Sequence, residues 1–328
     1  MTASFLRSLG KTELKVSPIG LGCWQFSKGK GLTGRYWSVL SDDDIAEIVK
    51  LSLDGGINWF DSAEAYGSGE SERALARALK RLDAAREDVV IATKWWPLLR
   101  SARSLINSID ERLDALGVSQ IDLYQIHQRL SRSSVNAEMR SMAKLVDMGK
   151  IRSVGISNYS ADDMRAAHNE LQMHGLTLAS NQVKFNLLDR RIESNGILDK
   201  AKELGITVIA YSPLAQGLLT GKYHQDPDRL KDVRAFRKIY KSYNRRLLDK
   251  TRPIVDVLQT LAEKYQVSAA QIALNWVINV HGDTVVAIAG ASKPSHAADN
   301  VGAMKFKLSD ADMALLDRVS YFQPKAAS

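Results

Sequence analysis

Eight short runs rich in aliphatic and β-branched residues recur along the chain: Ile19–Gly22, Ile57–Phe60, Val89–Thr93, Ile121–Ile126, Arg152–Ser157, Leu178–Val183, Ile206–Tyr211 and Thr284–Ile288. Their starts recur at roughly thirty-residue intervals, the size of one βα unit. Several are unbroken apolar runs, the pattern of strands covered on both faces, as in parallel sheets. Eight such units predict an α/β fold, the (β/α)8 TIM barrel, for which ~250 residues plus insertions is typical. An open doubly wound sheet usually has fewer strands, and no G-x-G-x-x-G follows any run.

Helical signals fill the gaps. Ser41 with Asp44, Ser160 with Asp163, and Ser309 with Asp312 each open an apolar-periodic segment with a capping pattern. Ser101 leads into Leu105, Ile109, Leu113 and Leu116, and Gly117 stops the run. The long gap from Tyr211 to Asp283 holds two helical stretches, one of them Ala269–Val280. With the helix after Ser309, this predicts extra C-terminal helices beyond the barrel. Phe5–Pro18, split by Gly10-Lys11-Thr12, predicts an N-terminal β-hairpin closing the bottom of the barrel. No linker or low-complexity tract interrupts residues 1–328, so a single domain is expected.

The 328 residues, 45% hydrophobic and 25% charged, suffice for a large core. No run approaches the ~18 apolar residues of a membrane span, and the N-terminus lacks a secretory apolar region. A lone cysteine, Cys23, excludes an intrachain disulfide and fits a reducing, cytoplasmic setting. The histidines show no metal-ligand spacing, so no metal is expected. Of the net charge of +8, most falls between Lys222 and Arg252, where eleven Lys or Arg face four Asp, a difference of +7. No aromatic-interleaved basic face or helix-turn-helix accompanies it, so no nucleic-acid partner is expected. Either the segment is a solvated surface, or it draws in an anionic small molecule, with Arg229, Lys231 and Arg234 as candidates.

In a barrel, chemistry gathers at the C-terminal ends of the strands. Asp61 and Tyr66 follow the second run, Lys94 the third and His127 the fourth. Taken singly, each has an ordinary structural explanation; together they can donate a proton. An ammonium beside a phenol favours the phenolate and lowers its pKa from ~10. Asp61 can keep Lys94 charged and in place, and His127 can hydrogen-bond a substrate oxygen.

Here the chain resembles the aldo-keto reductases, along essentially its whole length. The resemblance rests on Asp61-Ser62-Ala63-Glu64-Ala65-Tyr66-Gly67, Lys94, His127, Val154-Gly155-Ile156-Ser157-Asn158-Tyr159 and Asn181-Gln182-Val183, followed by the stretch Ala210–Lys222 and by Gly290-Ala291-Ser292-Lys293. It implies reduction of a small-molecule carbonyl by NADPH (or, in reverse, alcohol oxidation by NADP), with Asp61, Tyr66, Lys94 and His127 as catalytic tetrad and Tyr66 as general acid. It further implies that Ser157, Asn158 and Gln182 contact the nicotinamide amide and that Tyr211 stacks on the ring. Ser212, Pro213, Leu214, Gly217, Leu219 and Lys222 match the loop that wraps the pyrophosphate. Gly290, Ser292, Lys293, His296, Asp299 and Asn300 match the seat of the adenosine and its 2′-phosphate, with His296 where an arginine or glutamine is more usual.

Trp24, Trp95 and Trp96 are expected to wall the substrate pocket, while Arg129 and Arg132 offer a phosphorylated or carboxylated substrate an alternative. The nearest flavour within the family is the bacterial and plant group that includes pyridoxal and sugar-aldehyde reductases. Two other functions fit the same residues. One is a barrel aldolase with Lys94 as Schiff base; the other is an NADPH-binding, channel-associated subunit with little turnover.

Overall fold

The computed structural model describes residues 6–34, 36–233 and 244–321. Eight parallel strands close into a barrel in the order β10-β3-β4-β5-β6-β7-β8-β9. They are β3 (Ile19–Gly22), β4 (Trp59–Asp61), β5 (Val90–Trp95), β6 (Ile121–Ile126), β7 (Ile151–Ser157), β8 (Leu178–Lys184), β9 (Thr207–Tyr211) and β10 (Val285–Gly290). Each expected run thus became a barrel strand, with ends shifted by a residue or two.

The remaining strands, β1 (Arg7–Ser8) and β2 (Lys15–Val16), pair antiparallel as the expected hairpin. Leu9, Leu14 and Val16 of the hairpin pack with the inward-facing Trp59, Val90, Ala92, Leu123, Ile209, Val286 and Ile288. The Gly10 amide donates to Thr207 Oγ1 at 2.7 Å, and the Trp59 indole donates to the Ser17 carbonyl at 2.9 Å. Gly20 makes room for that indole, since a Cβ there would sit 2.3 Å from a Trp59 ring atom. One end of the barrel is therefore plugged with apolar groups, which leaves the other end for polar ones.

The opposite strand faces meet the surrounding helices in a second, larger core. Ser41 and Ser268 begin helices Asp42–Asp54 and Ala269–Asn279 with complete capping boxes, and Ser160 and Ser309 cap theirs. Ser101 does not cap: helix Arg103–Leu116 starts behind Ala102, without a side-chain cap. Beyond the βα units lie helices Arg245–Tyr265 and Asp310–Ser320, the expected additional C-terminal helices. Among the described residues, no helix is long and apolar enough to cross a membrane.

Beneath the strand ends, Glu72 of helix Glu70–Arg81 is fully buried, pairs with Arg112 at 2.8 Å and accepts from Thr93 at 2.6 Å. Burial pushes its carboxyl up to about 7, against the pull of Arg112. Arg112→Met should strand this carboxylate and cost about 3–5 kcal/mol at alkaline pH. Because the folded pKa lies above the unfolded one, that cost should shrink as pH falls toward the ordinary carboxylate range. Adding Glu72→Leu should recover much of the loss, as read from urea unfolding of the single and double variants at two pH values.

Candidate active site

Side chains alternate along a strand, so inward positions recur every second residue. On β4, Trp59 points into the barrel and Asp61 stands one step above it; on β5, Ala92 is followed by Lys94. On β6, Leu123 is followed by Gln125 and then, just past the strand, by His127; on β9, Ile209 by Tyr211. The apolar plug thus gives way to polar groups at one level, and those groups meet.

Lys94, fully buried, donates to Asp61 Oδ1 and, at 2.8 Å, to the Ser62 carbonyl. Asp61 Oδ2 accepts from Gln125 Nε2 at 3.0 Å and from Gln182 Nε2 at 2.9 Å. Tyr66 lies on a turn above β4 whose amides are tied down, Tyr66 N donating to the Ala63 carbonyl and Glu64 N to the Lys94 carbonyl, each at 3.0 Å. The Lys94 ammonium sits 5.0 Å from the centre of its ring. His127 meets the same ring edge-on, with centroids 5.5 Å apart.

Burial alone would discharge Lys94, but Asp61 and Tyr66 together hold its pKa above the ordinary value. Burial dominates for Tyr66 as well, and there the outcome differs from expectation. The phenol is held above its usual range, because burial and Asp61 outweigh the pull of Lys94. Burial, helped by Lys94, holds His127 well below the normal imidazole range, so its ring is neutral at pH 7. Its Nδ1 is buried without a protein partner. Cys23 is fully buried, and burial pushes its thiol up.

The residues expected to hold the nicotinamide amide form one connected cluster. Ser157 Oγ donates to the Gln182 carbonyl at 2.9 Å, Asn158 Nδ2 to Ser157 Oγ at 3.0 Å, and the Tyr211 hydroxyl to Asn158 Oδ1 at 3.1 Å. Asn158 is in the left-handed region, φ 61°, as the chain turns off β7. Tyr211, partly buried, packs on the inner core.

After β9 the backbone is left-handed at Ser212, Ala215, Gln216 and Gly217, and Tyr36 from the loop after β3 donates to Gln216 Oε1 at 2.6 Å. Pro213 is buried and Leu214 half-buried. The Leu219 side chain is fully buried in the outer core, which leaves its backbone as the part available to a ligand. Lys222 leans over Gly217, where a Cβ would lie 3.5 Å from its Nζ.

On the neighbouring loop, Ser292 Oγ and His296 Nδ1 are 3.2 Å apart at the start of helix Pro294–Gly302. Burial, then Lys293 and Lys222, pushes His296 down to about 4. Lys293 itself is exposed. Gly290 ends β10 on the inward face, and a Cβ there would strike the Gln25 amide at 2.3 Å. Gln25 Oε1 is buried beside it with no protein partner. Asn300 donates to the Ala289 carbonyl at 3.2 Å, and Asp299 accepts from Ser268 at 2.9 Å, so both brace their helix.

Trp24 stacks on Tyr66 at 5.6 Å, and Trp96 meets His127 edge-on at 5.2 Å. Trp95 is a correction. It lies fully buried in the strand–helix core with Arg100 over its ring, because strand alternation turns it away from the face that carries Lys94. Arg129 is engaged by Glu138 and Asp163, each at 3.8 Å, and Arg132 is exposed. Arg229 pairs with Asp226 at 3.2 Å and Lys231 with Asp228 at 2.9 Å; Arg234 lies outside the described residues. A separate cleft of about 1030 Å³ lies between the loop after β8 and the last helix. Its Arg190, Glu193, His281 and Asp317 pair among themselves.

Gln125 escaped notice in the sequence, although the signal was present: it is the inward position between Leu123 and His127. Among the described residues, no group of three or more His, Cys, Asp or Glu could hold a metal ion.

Known proteins share this architecture. The chloroplastic pyridoxal reductase of Arabidopsis thaliana is 33% identical to this chain, over 95% of it and 86% of the relative. The NADH-specific methylglyoxal reductase of Escherichia coli (strain K12) is 31% identical over 94% and 96% of the two chains. The solved structure of a glycerol dehydrogenase from Gluconobacter oxydans superposes over all of both chains with a TM-score of 0.84 at 27% identity. The model of the Aldo/keto reductase family matches residues 18–320, from β3 to the last helix. The chain therefore belongs to that family, oxidoreductases that act on carbonyl compounds with nicotinamide cofactors.

Proposed function

We propose that this protein reduces an aldehyde or ketone to the alcohol with NADPH, Tyr66 donating the proton. The observation that carries the reading is the convergence of Tyr66, Lys94, Asp61 and His127 at the polar end of the barrel. The residues around the mouth fit a dinucleotide: a polar cluster at Ser157, Asn158 and Gln182, an aromatic ring at Tyr211, and the buried, unpartnered Gln25 Oε1 beside the side-chain-free Gly290. The nicotinamide, when bound, supplies the hydride that adds to the carbonyl carbon.

Tyr66 gives its phenolic proton to the carbonyl oxygen, so negative charge does not accumulate there. Lys94, held charged by Asp61, stabilises the phenolate left behind. Neutral His127 can hydrogen-bond the same oxygen and orient the substrate. Trp24 and Trp96 border this point, and Leu98, Leu99 and Leu130 are exposed on the loops after β5 and β6. These surfaces favour an apolar or aromatic carbonyl compound, and the engagement of Arg129 by two carboxylates weakens the case for an anionic one. A lysine kept protonated is a poor Schiff-base nucleophile, which counts against an aldolase.

Lys222, Lys293, Ser292 and His296 gather at a helix start, a setting that favours a phosphate and so NADPH over NADH. Because a bound phosphate would favour imidazolium, NADPH affinity should weaken as pH rises, through loss of a proton taken up at His296.

Tyr66→Phe should lower kcat by two orders of magnitude or more, about the weight of general acid catalysis, with NADPH binding by fluorescence little changed. Equal turnover by the variant and an active wild type would remove Tyr66 as the acid. At saturating NADPH, reduction by the wild type should hold its rate through neutral pH and fall only as the phenol ionises, above its usual ~10. Lys293→Ala should reduce the preference for NADPH over NADH by about tenfold, as read from the ratio of their KM values, the typical weight of a charge-assisted hydrogen bond.

A further inference from the structure

We infer that Gln125 is a positioning residue that couples the Asp61–Lys94 pair to the nicotinamide-binding side of the mouth, through Gln182. The inference rests on the function proposed above. Gln125 has no solvent exposure and stands on the inward face of β6, two residues below His127. Space for it comes from β7, where a Cβ on Gly155 would lie 2.8 Å from Gln125 Cγ and 2.7 Å from Ser180 Oγ.

The chemistry of the carboxylate fixes which way both amides point. A carboxylate paired with an ammonium only accepts hydrogen bonds, so the groups against its second oxygen must be NH2 groups. Gln125 Nε2 and Gln182 Nε2 both donate to Asp61 Oδ2. With its NH2 spent on Asp61, Gln125 presents Oε1 to Gln182 Nε2 at 3.2 Å. Both protons of the Gln182 amide are thereby directed inward, onto Asp61 and Gln125. What remains of Gln182 is Oε1, an acceptor, and the complementary donor is the NH2 of a carboxamide.

Without Gln125, one proton of Gln182 loses its acceptor and Asp61 loses one of its donors. The amide can then rotate, and the orientation it imposes on the nicotinamide is lost. Lys94 and Gln182 thus answer to the same carboxylate, one oxygen each, and Gln125 keeps the second oxygen from being shared otherwise.

The test uses two ligands on the full chain: NADPH, and 2′-phospho-ADP-ribose, which lacks the nicotinamide. Gln125→Leu should weaken NADPH about tenfold or more, the usual weight of hydrogen bonds to a charged group, and leave the fragment's affinity unchanged. In Gln125→Glu the ionised side chain would repel Asp61, whereas the protonated acid can donate to it and still accept from Gln182. Its NADPH affinity should therefore recover as pH falls from 8 to 6, with the wild type measured alongside for comparison. Dissociation constants from fluorescence quenching, with thermal unfolding of each variant, provide the readout. Unchanged NADPH binding by Gln125→Leu, or equal weakening of both ligands, would overturn the positioning role. A wild type that binds NADPH no better than the fragment would instead remove the proposed function on which the inference rests.

Discussion

The buried ion pair of Asp61 and Lys94 is the interaction around which the polar end of this barrel is organised. Two charges taken out of water cost several kcal/mol each, which only close geometry and complete hydrogen bonding can offset. Here the complement is assembled from four strands. The lysine rises from β5, the aspartate from β4, and the glutamines that fill the remaining carboxylate oxygen from β6 and β8. Such a pair would be an expensive way to hold a fold together, since apolar residues of like size would serve as well. What it supplies is an ammonium that stays charged in a dry place, beneath a phenol.

That dryness has its own consequences. The same burial that makes the ammonium effective also disfavours phenolate, so Tyr66 stays protonated until something else changes its surroundings. It keeps His127 neutral too, a hydrogen-bonding group rather than a second cation crowding Lys94. The protonation states follow from a balance between burial and a few neighbouring groups: burial is the largest single contribution at all three, and only at Lys94 do the neighbours together overcome it.

Why the polar groups collect at one end follows from the plug at the other. The hairpin and Trp59 fill the lower barrel with apolar side chains, and Gly20 yields the space that the indole needs. Above that level the inward positions of β4, β5, β6 and β9 change together from apolar to polar. A residue's role is thus set by its height and its face. Trp95 illustrates this, one position from Lys94 in the chain and on the opposite side of the sheet in space. Leu219 illustrates it as well: it sits in the loop expected to wrap the pyrophosphate, yet its side chain belongs to the outer core.

The chain by itself determined the strand count, the order of βα units, the hairpin and the residues Asp61, Tyr66, Lys94 and His127, because periodicity, caps and motif spacing are local properties. Ser157, Asn158 and Gln182 came together in the sequence only through the resemblance to the aldo-keto reductases; read singly, they are ordinary polar residues at strand ends. Only the tertiary structure decided that Trp95 faces away, that Asp299 and Asn300 brace a helix, and that Gln125 joins the carboxylate network. It also decided that burial outweighs Lys94 at the phenol. These outcomes depend on which face a strand turns inward and on how much water the surrounding strands exclude, and both are sums over groups far apart in the sequence.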